Sequence, residues 1–146
     1  MSGTKGGVKM IFTYKEFYLR SIKSGCTDED FNDEIKENAF ELIRRINALG
    51  YTPPMYFSSC LRSKKVHKRI YEEKGIPEDK IPWGSKHLYG KAVDVADPNN
   101  TLQEWLVKNE DKLAWHKLWC EAFTHTPGWV HFQSEPPKSG KRFFIP

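Results

Sequence analysis

Residues 85–94 read SKHLYGKAVD, and the use made of the aspartate that ends them decides the fold. The run continues as Val95-Ala96, so Asp94 stands in a strand-like alternation with Val93 and Val95 on either side. A carboxylate in such a setting is costly to bury unless it is paired or holds a cation. His87 precedes it by seven positions, and Gly90 between them lets the chain turn tightly enough for a loop histidine and a strand aspartate to converge. A second imidazole lies in WVHFQ, residues 129–133, where alternation puts Trp129, His131 and Gln133 on one face and Val130 and Phe132 on the other. His131 by itself reads as a satisfied core histidine. Two imidazoles and one carboxylate together make the donor set of a borderline cation such as Zn²⁺, held by three protein ligands with one position left open.

Outward from these two stretches, local pattern supplies the remaining elements. Residues 27–50 place Phe31, Ile35, Ala39, Leu42, Ile43, Ile46 and Leu49 on one helical stripe, with Thr27 as cap, an acidic first turn and Gly50 as stop. Pro53-Pro54 interrupt the chain, residues 55–60 read as a short strand, and residues 62–74 have the length and polarity of a helix. Residues 75–83 carry two prolines without periodicity and form a loop, a suitable wall for a site. Thr101 with Glu104 makes a capping box for a helix over 102–119 that breaks near Asn109, with Glu121 at its end. The tail from Ser134 is rich in Pro and Lys and is expected at the surface, and residues 1–10 are expected to be loose.

The chain has 146 residues, 38% of them apolar, 14% aromatic and 29% charged, which suits a single domain over residues 11–146 with one core. Its longest apolar runs are a few residues, so neither a membrane span nor a secretory signal is expected. Three cysteines, Cys26, Cys60 and Cys120, are an odd number at wide spacing, which argues for buried thiols against a disulfide framework or a zinc knuckle. The net charge of +4 is compatible with an anionic partner and selects none.

Ser85, His87, Gly90, Ala92 and Asp94 match the pattern S-x-H-x-x-G-x-A-x-D, and Trp129-Val130-His131 matches a later W-x-H element. Upstream, residues 58–63 (SSCLRS) and 12–17 (FTYKEF) fit an S-x-Y-R-S strand end and an F-x-x-x-E-F opening. Together these resemble the zinc peptidases of peptidoglycan: D-Ala-D-Ala carboxypeptidases, vancomycin-resistance D,D-dipeptidases and L-alanyl-D-glutamate endopeptidases, phage endolysins among them. The resemblance implies an α+β fold of the Hedgehog and D,D-peptidase type, a small, mostly antiparallel sheet with helices packed on one side. It implies Zn²⁺ held by His87, Asp94 and His131, with Arg62 stabilising the peptide carbonyl and Ser85 supporting the substrate; Trp129 is expected to wall the metal site. Much of the family has an acid three residues before the last ligand as general base, and this chain has Gly128 there. His125 is the first candidate to replace it and Glu121 the second, whereas His67 and His116 are read as polar positions outside the site.

The function these implications describe is a zinc metallopeptidase that cleaves cell-wall peptide, as a monomer, made in the cytoplasm and reaching the wall on lysis or as part of a virion. The alternative is a non-catalytic relative that binds cell wall or serves in a phage particle, because fold alone does not certify activity. A metal-dependent nucleic-acid enzyme is a third reading, and the sequence has neither a paired-carboxylate cluster nor an RNA-binding aromatic motif to support it, so nucleic acid is not an expected partner.

Overall fold

A computed structural model describes residues 11–146 as an α+β arrangement around a five-stranded sheet. The helices are α1 (Tyr14–Lys23), α2 (Asp33–Ala48), α3 (Lys64–Glu73), α4 (Thr101–Lys108) and α5 (Glu110–Trp115). The strands are β1 (Tyr56–Ser59), β2 (Ala92–Ala96), β3 (Trp119–Glu121), β4 (Trp129–Gln133) and β5 (Phe143–Phe144), in the order β1-β2-β4-β3-β5. All neighbours are antiparallel except β3 and β5, which run parallel. No helix among the described residues is long and apolar enough to cross a membrane. Residues 1–10, expected to be loose, lie outside the described residues.

Alternation along the two central strands separates a dry face from a polar one. Val93 and Val95 of β2 pair with Phe132 and Val130 of β4, and all four are buried in one core with Phe12, Phe17, Leu42, Ile46 and Leu106. The same register sets Asp94 opposite His131 on the other face. Phe57 of β1 pairs with Val95 on the core side, and an irregularity before Ser59 brings that serine opposite Asp94. One extra residue in a strand re-aims everything after it, so the end of β1 turns toward the polar face.

Several local expectations need correction. The helix expected to begin after Thr27 starts at Asp33, capped by Asn32, whose side chain accepts from the Ile35 amide at 2.9 Å. Thr27 instead caps a single 3-10 turn over Asp28–Asp30, closed by Asp30, and Phe31 enters the core from the link between the two. The start of α4 is capped by Asp97 and not by Thr101 and Glu104: its carboxylate accepts from the Leu102 and Gln103 amides at 3.0 and 2.8 Å. Asn109 does divide the long helical pattern, but the second part ends at Trp115, so Glu121 lies on β3 and not at a helix end. The tail also returns to the sheet as β5 and buries Phe144. An early helix, α1, is capped by Thr13 and follows from the same FTYKEF stretch that matched the family opening. The three cysteines are buried and free, and burial pushes the Cys26 thiol up to about 11.

Candidate metal centre

Gly90 closes the turn that delivers His87 to Asp94. It takes φ +73°, and a Cβ there would lie 2.9 Å from the Ile35 carbonyl oxygen of α2, so both backbone shape and close approach require glycine. The 3-10 turn Lys86–Tyr89 that it ends buries His87, while Lys86 and Lys91 on either side both pair with Glu135 beyond β4. The two ends of the site are thereby clamped to each other.

His87 Nε2 lies 3.2 Å and His131 Nδ1 2.9 Å from the same oxygen, Asp94 Oδ1. Ligand atoms of the three residues all fall within 4.8 Å of one another, and both imidazoles are buried. What the opposite ring nitrogens do is equally specific. His87 Nδ1–H donates to the Cys60 carbonyl at 2.9 Å, and His131 Nε2–H donates to Gln133 Oε1 at 2.8 Å. The Gln133 amide is oriented in turn by donating to the Glu135 carbonyl at 2.8 Å. Each imidazole thus spends its neutral-state proton away from Asp94, leaving two lone pairs and a carboxylate oxygen directed at one point. Those three electron-rich atoms repel one another unless a proton or a metal ion lies between them. Burial opposes ionisation of Asp94, yet His87 and His131 outweigh it and hold the carboxyl below its usual range. For His131, burial disfavours the charged form, and the bonds to Asp94 and Gln133 outweigh that and raise its pKa. The group fits a metal ion.

No family model matches the chain, and no curated protein or solved structure matches it. The assignment of chemistry therefore rests on the residues.

Glu121 joins this polar face. Its neighbour Cys120 pairs with Phe132 and points into the core, so Glu121 emerges on the side of His131, and its partner on β5, Phe144, has its ring 6.0 Å from the His131 ring. Burial pushes the Glu121 carboxyl above its usual range; His131, His125 and His87 oppose this and Asp94 adds to it. His125, the first candidate, is exposed on the turn between β3 and β4, near enough to Glu121 to influence it. Gly128 takes φ +79° in that turn, and its carbonyl accepts from the Asp97 amide at 2.8 Å.

Arg62 is tied to the centre through its backbone, its amide donating to the His87 carbonyl at 3.1 Å. Its guanidinium Nη1 donates to His67 Nδ1 at 3.3 Å, while His67 Nε2–H donates to the Pro82 carbonyl at 3.0 Å. His67 is fully buried, and its two bonds brace both Arg62 and the loop leading to His87. Burial, with Arg62 adding to it, lowers its pKa and keeps it the neutral acceptor this bond needs. Ser85 caps the 3-10 turn through its carbonyl, which accepts from the Leu88 amide at 3.2 Å. Trp129 shares the His131 face, and its carbonyl accepts from the Gln103 side chain. Trp83 packs on His67, and its carbonyl accepts from the Tyr89 hydroxyl, so those aromatics build the loop. Sequence reasoning missed Phe144 beside His131 and the support that His67 gives Arg62, whereas alternation from His131 pointed to Gln133.

Proposed function

We propose that the protein is a zinc-dependent peptidase that cleaves stem or cross-link peptides of peptidoglycan, as an L-alanyl-D-glutamate endopeptidase or a D,D-peptidase. The observation that carries this reading is the convergence of His87 Nε2, His131 Nδ1 and Asp94 Oδ1, with both imidazoles locked in the tautomer that offers a lone pair. Two nitrogens and one oxygen suit zinc, and three ligands leave a position open for catalysis. When bound, zinc supplies Lewis acidity toward a peptide carbonyl and lowers the pKa of water to about 7. On this reading the α+β fold is the one shared by D,D-peptidases and Hedgehog-type domains.

Glu121 is the general base. It accepts a proton from the attacking water as the water oxygen bonds to the scissile carbonyl carbon, and returns it to the amine nitrogen as the C–N bond breaks. Its support is its place beside His131 on the polar face and its partial desolvation, both suited to proton transfer. Arg62, braced by His67, offers a permanent positive charge to the carbonyl oxygen as that oxygen becomes anionic. Ser85 and Trp129 border the bound peptide. The net charge of +4 favours residence on an anionic wall reached at lysis or from a virion.

Elemental analysis should find one zinc per chain, lost in His87→Ala and in His131→Ala. With a defined muropeptide, mass spectrometry of the new amino terminus identifies the bond cleaved. Glu121→Gln should keep zinc and lose about 100-fold or more in kcat, with His125→Ala losing less. A fully active Glu121→Gln would transfer the base to His125. The second reading, a wall-binding or particle protein that holds zinc without turnover, is favoured by Gly128 in the usual place of the acid; stoichiometric zinc with no product from any muropeptide would establish it.

A further inference from the structure

A cavity of about 560 Å³ opens beside the metal centre between the end of α1, the end of β1 and one face of α3. One wall is a helical stripe, Val66, Arg69, Ile70 and Glu73, spaced so that all four side chains share a face. Facing it are Ser24, Ser59 and Arg62. Ser59 is the residue paired with Asp94, so the cavity begins one strand away from the metal ligands. Among the described residues, neither Arg62 nor Arg69 has a carboxylate partner, and Glu73 also stands free of any ion pair. The lining therefore carries two guanidiniums against one carboxylate, with apolar surface from Leu61, Val66 and Ile70.

We propose that this cavity is a substrate subsite for a peptide residue bearing a free carboxylate, with Arg69 as the residue that selects for it. The inference rests on the peptidase reading above and deepens it. Arg62 is already committed to His67 through Nη1, which leaves the exposed Arg69 as the guanidinium whose donors are all available. A planar fork of N–H groups matches a carboxylate with two parallel bonds, a match that an amide cannot reproduce. The ligand class is an acidic peptide, its carboxylate supplied by a chain terminus or by a glutamyl residue.

The test measures binding separately from turnover. Alanyl-glutamyl peptides with both carboxyls free, with the terminal carboxyl amidated and with the glutamyl side chain amidated are titrated into the full chain, and affinity is read from amide chemical shifts of α3. The subsite predicts about tenfold weaker binding for one of the two amidated peptides, the position of which identifies the source of the carboxylate. Arg69→Gln, at an exposed position where folding is not at stake, should bring that peptide and the free one to equal affinity. Equal affinity of all three peptides for the unaltered chain, or discrimination that survives Arg69→Gln, would overturn the proposal. The same titration on His131→Ala separates the two readings. Discrimination kept with no hydrolysis by any form supports the subsite and removes the peptidase; hydrolysis without discrimination does the reverse.

Discussion

The two imidazoles meet Asp94 through different ring nitrogens, Nε2 from His87 and Nδ1 from His131, and the partner on the far side of each ring is the cause. A backbone carbonyl can only accept, so the Cys60 oxygen fixes the proton of His87 on Nδ1; Gln133 Oε1 does the same for Nε2 of His131. The first partner survives any side-chain change, but the second does not. Gln133→Leu removes the acceptor, frees His131 to take the other tautomer, and should weaken zinc binding about 10- to 100-fold while leaving the fold intact. Competition against a chelator of known affinity measures this, and an unchanged zinc affinity would show that Gln133 does not hold the ring. At this scale the ligand types and Gly90 were legible in residues 85–94 and 129–133, because an aspartate among valines asks for a partner wherever it occurs. Neither the tautomer of His87 nor the bonding of His67 was legible: the Cys60 carbonyl lies 27 positions from the first and the Pro82 carbonyl 15 positions from the second.

Elements were readable where one period ran undisturbed and misread where a cap or a break decided the outcome. The stripe of α2 is correct from Ile35 onward, yet the true start is Asn32, because Thr27 and Asp30 satisfy each other and close a separate turn. The start of α4 is set by Asp97, whose own amide is tied to Gly128 on the turn before β4. That cap joins β2, α4 and β4, a link that no window of local sequence contains. The junction between the 3-10 turn and β2 supplies the element-scale prediction. Gly90→Ala forces a side chain into a left-handed φ and against the Ile35 carbonyl, and should cost roughly 1–3 kcal/mol in a denaturant titration. Zinc affinity should fall with it, since the same turn aims His87; a variant as stable as the unaltered chain would remove the close approach from the account.

Across the whole molecule, a few charged groups hold the sheet ends to the helices. Glu41 binds both Arg44 and Arg45, and Arg45 continues to the Lys117 and Ser134 carbonyls, joining α2 to the segments beside β3 and β4. The guanidinium of Arg44, ahead of burial which opposes it, holds the Glu41 carboxyl at about 2, below its ordinary value of 4.5. A carboxyl lowered on folding binds its proton more readily in the unfolded chain. Its contribution is complete above about pH 4.5 and is lost as pH falls toward about 2. Glu41 is 40% exposed, so screening by water keeps the effect small. Glu41→Gln should flatten the acid limb of a plot of denaturant midpoint against pH, and an unaltered limb would assign the acid loss elsewhere. What the sequence alone determined was local: the apolar periods of α2 and the two central strands, the donor types of the candidate metal centre, and the glycine that turns one donor toward another. Only the tertiary structure decided that Glu121 lies on the sheet face that carries His131, that the tail supplies β5, and that a cavity with two guanidiniums lies one strand away from the candidate metal ligands. These depend on strand register and on contacts across tens of residues, which burial of the shared core selects and no short window of sequence encodes.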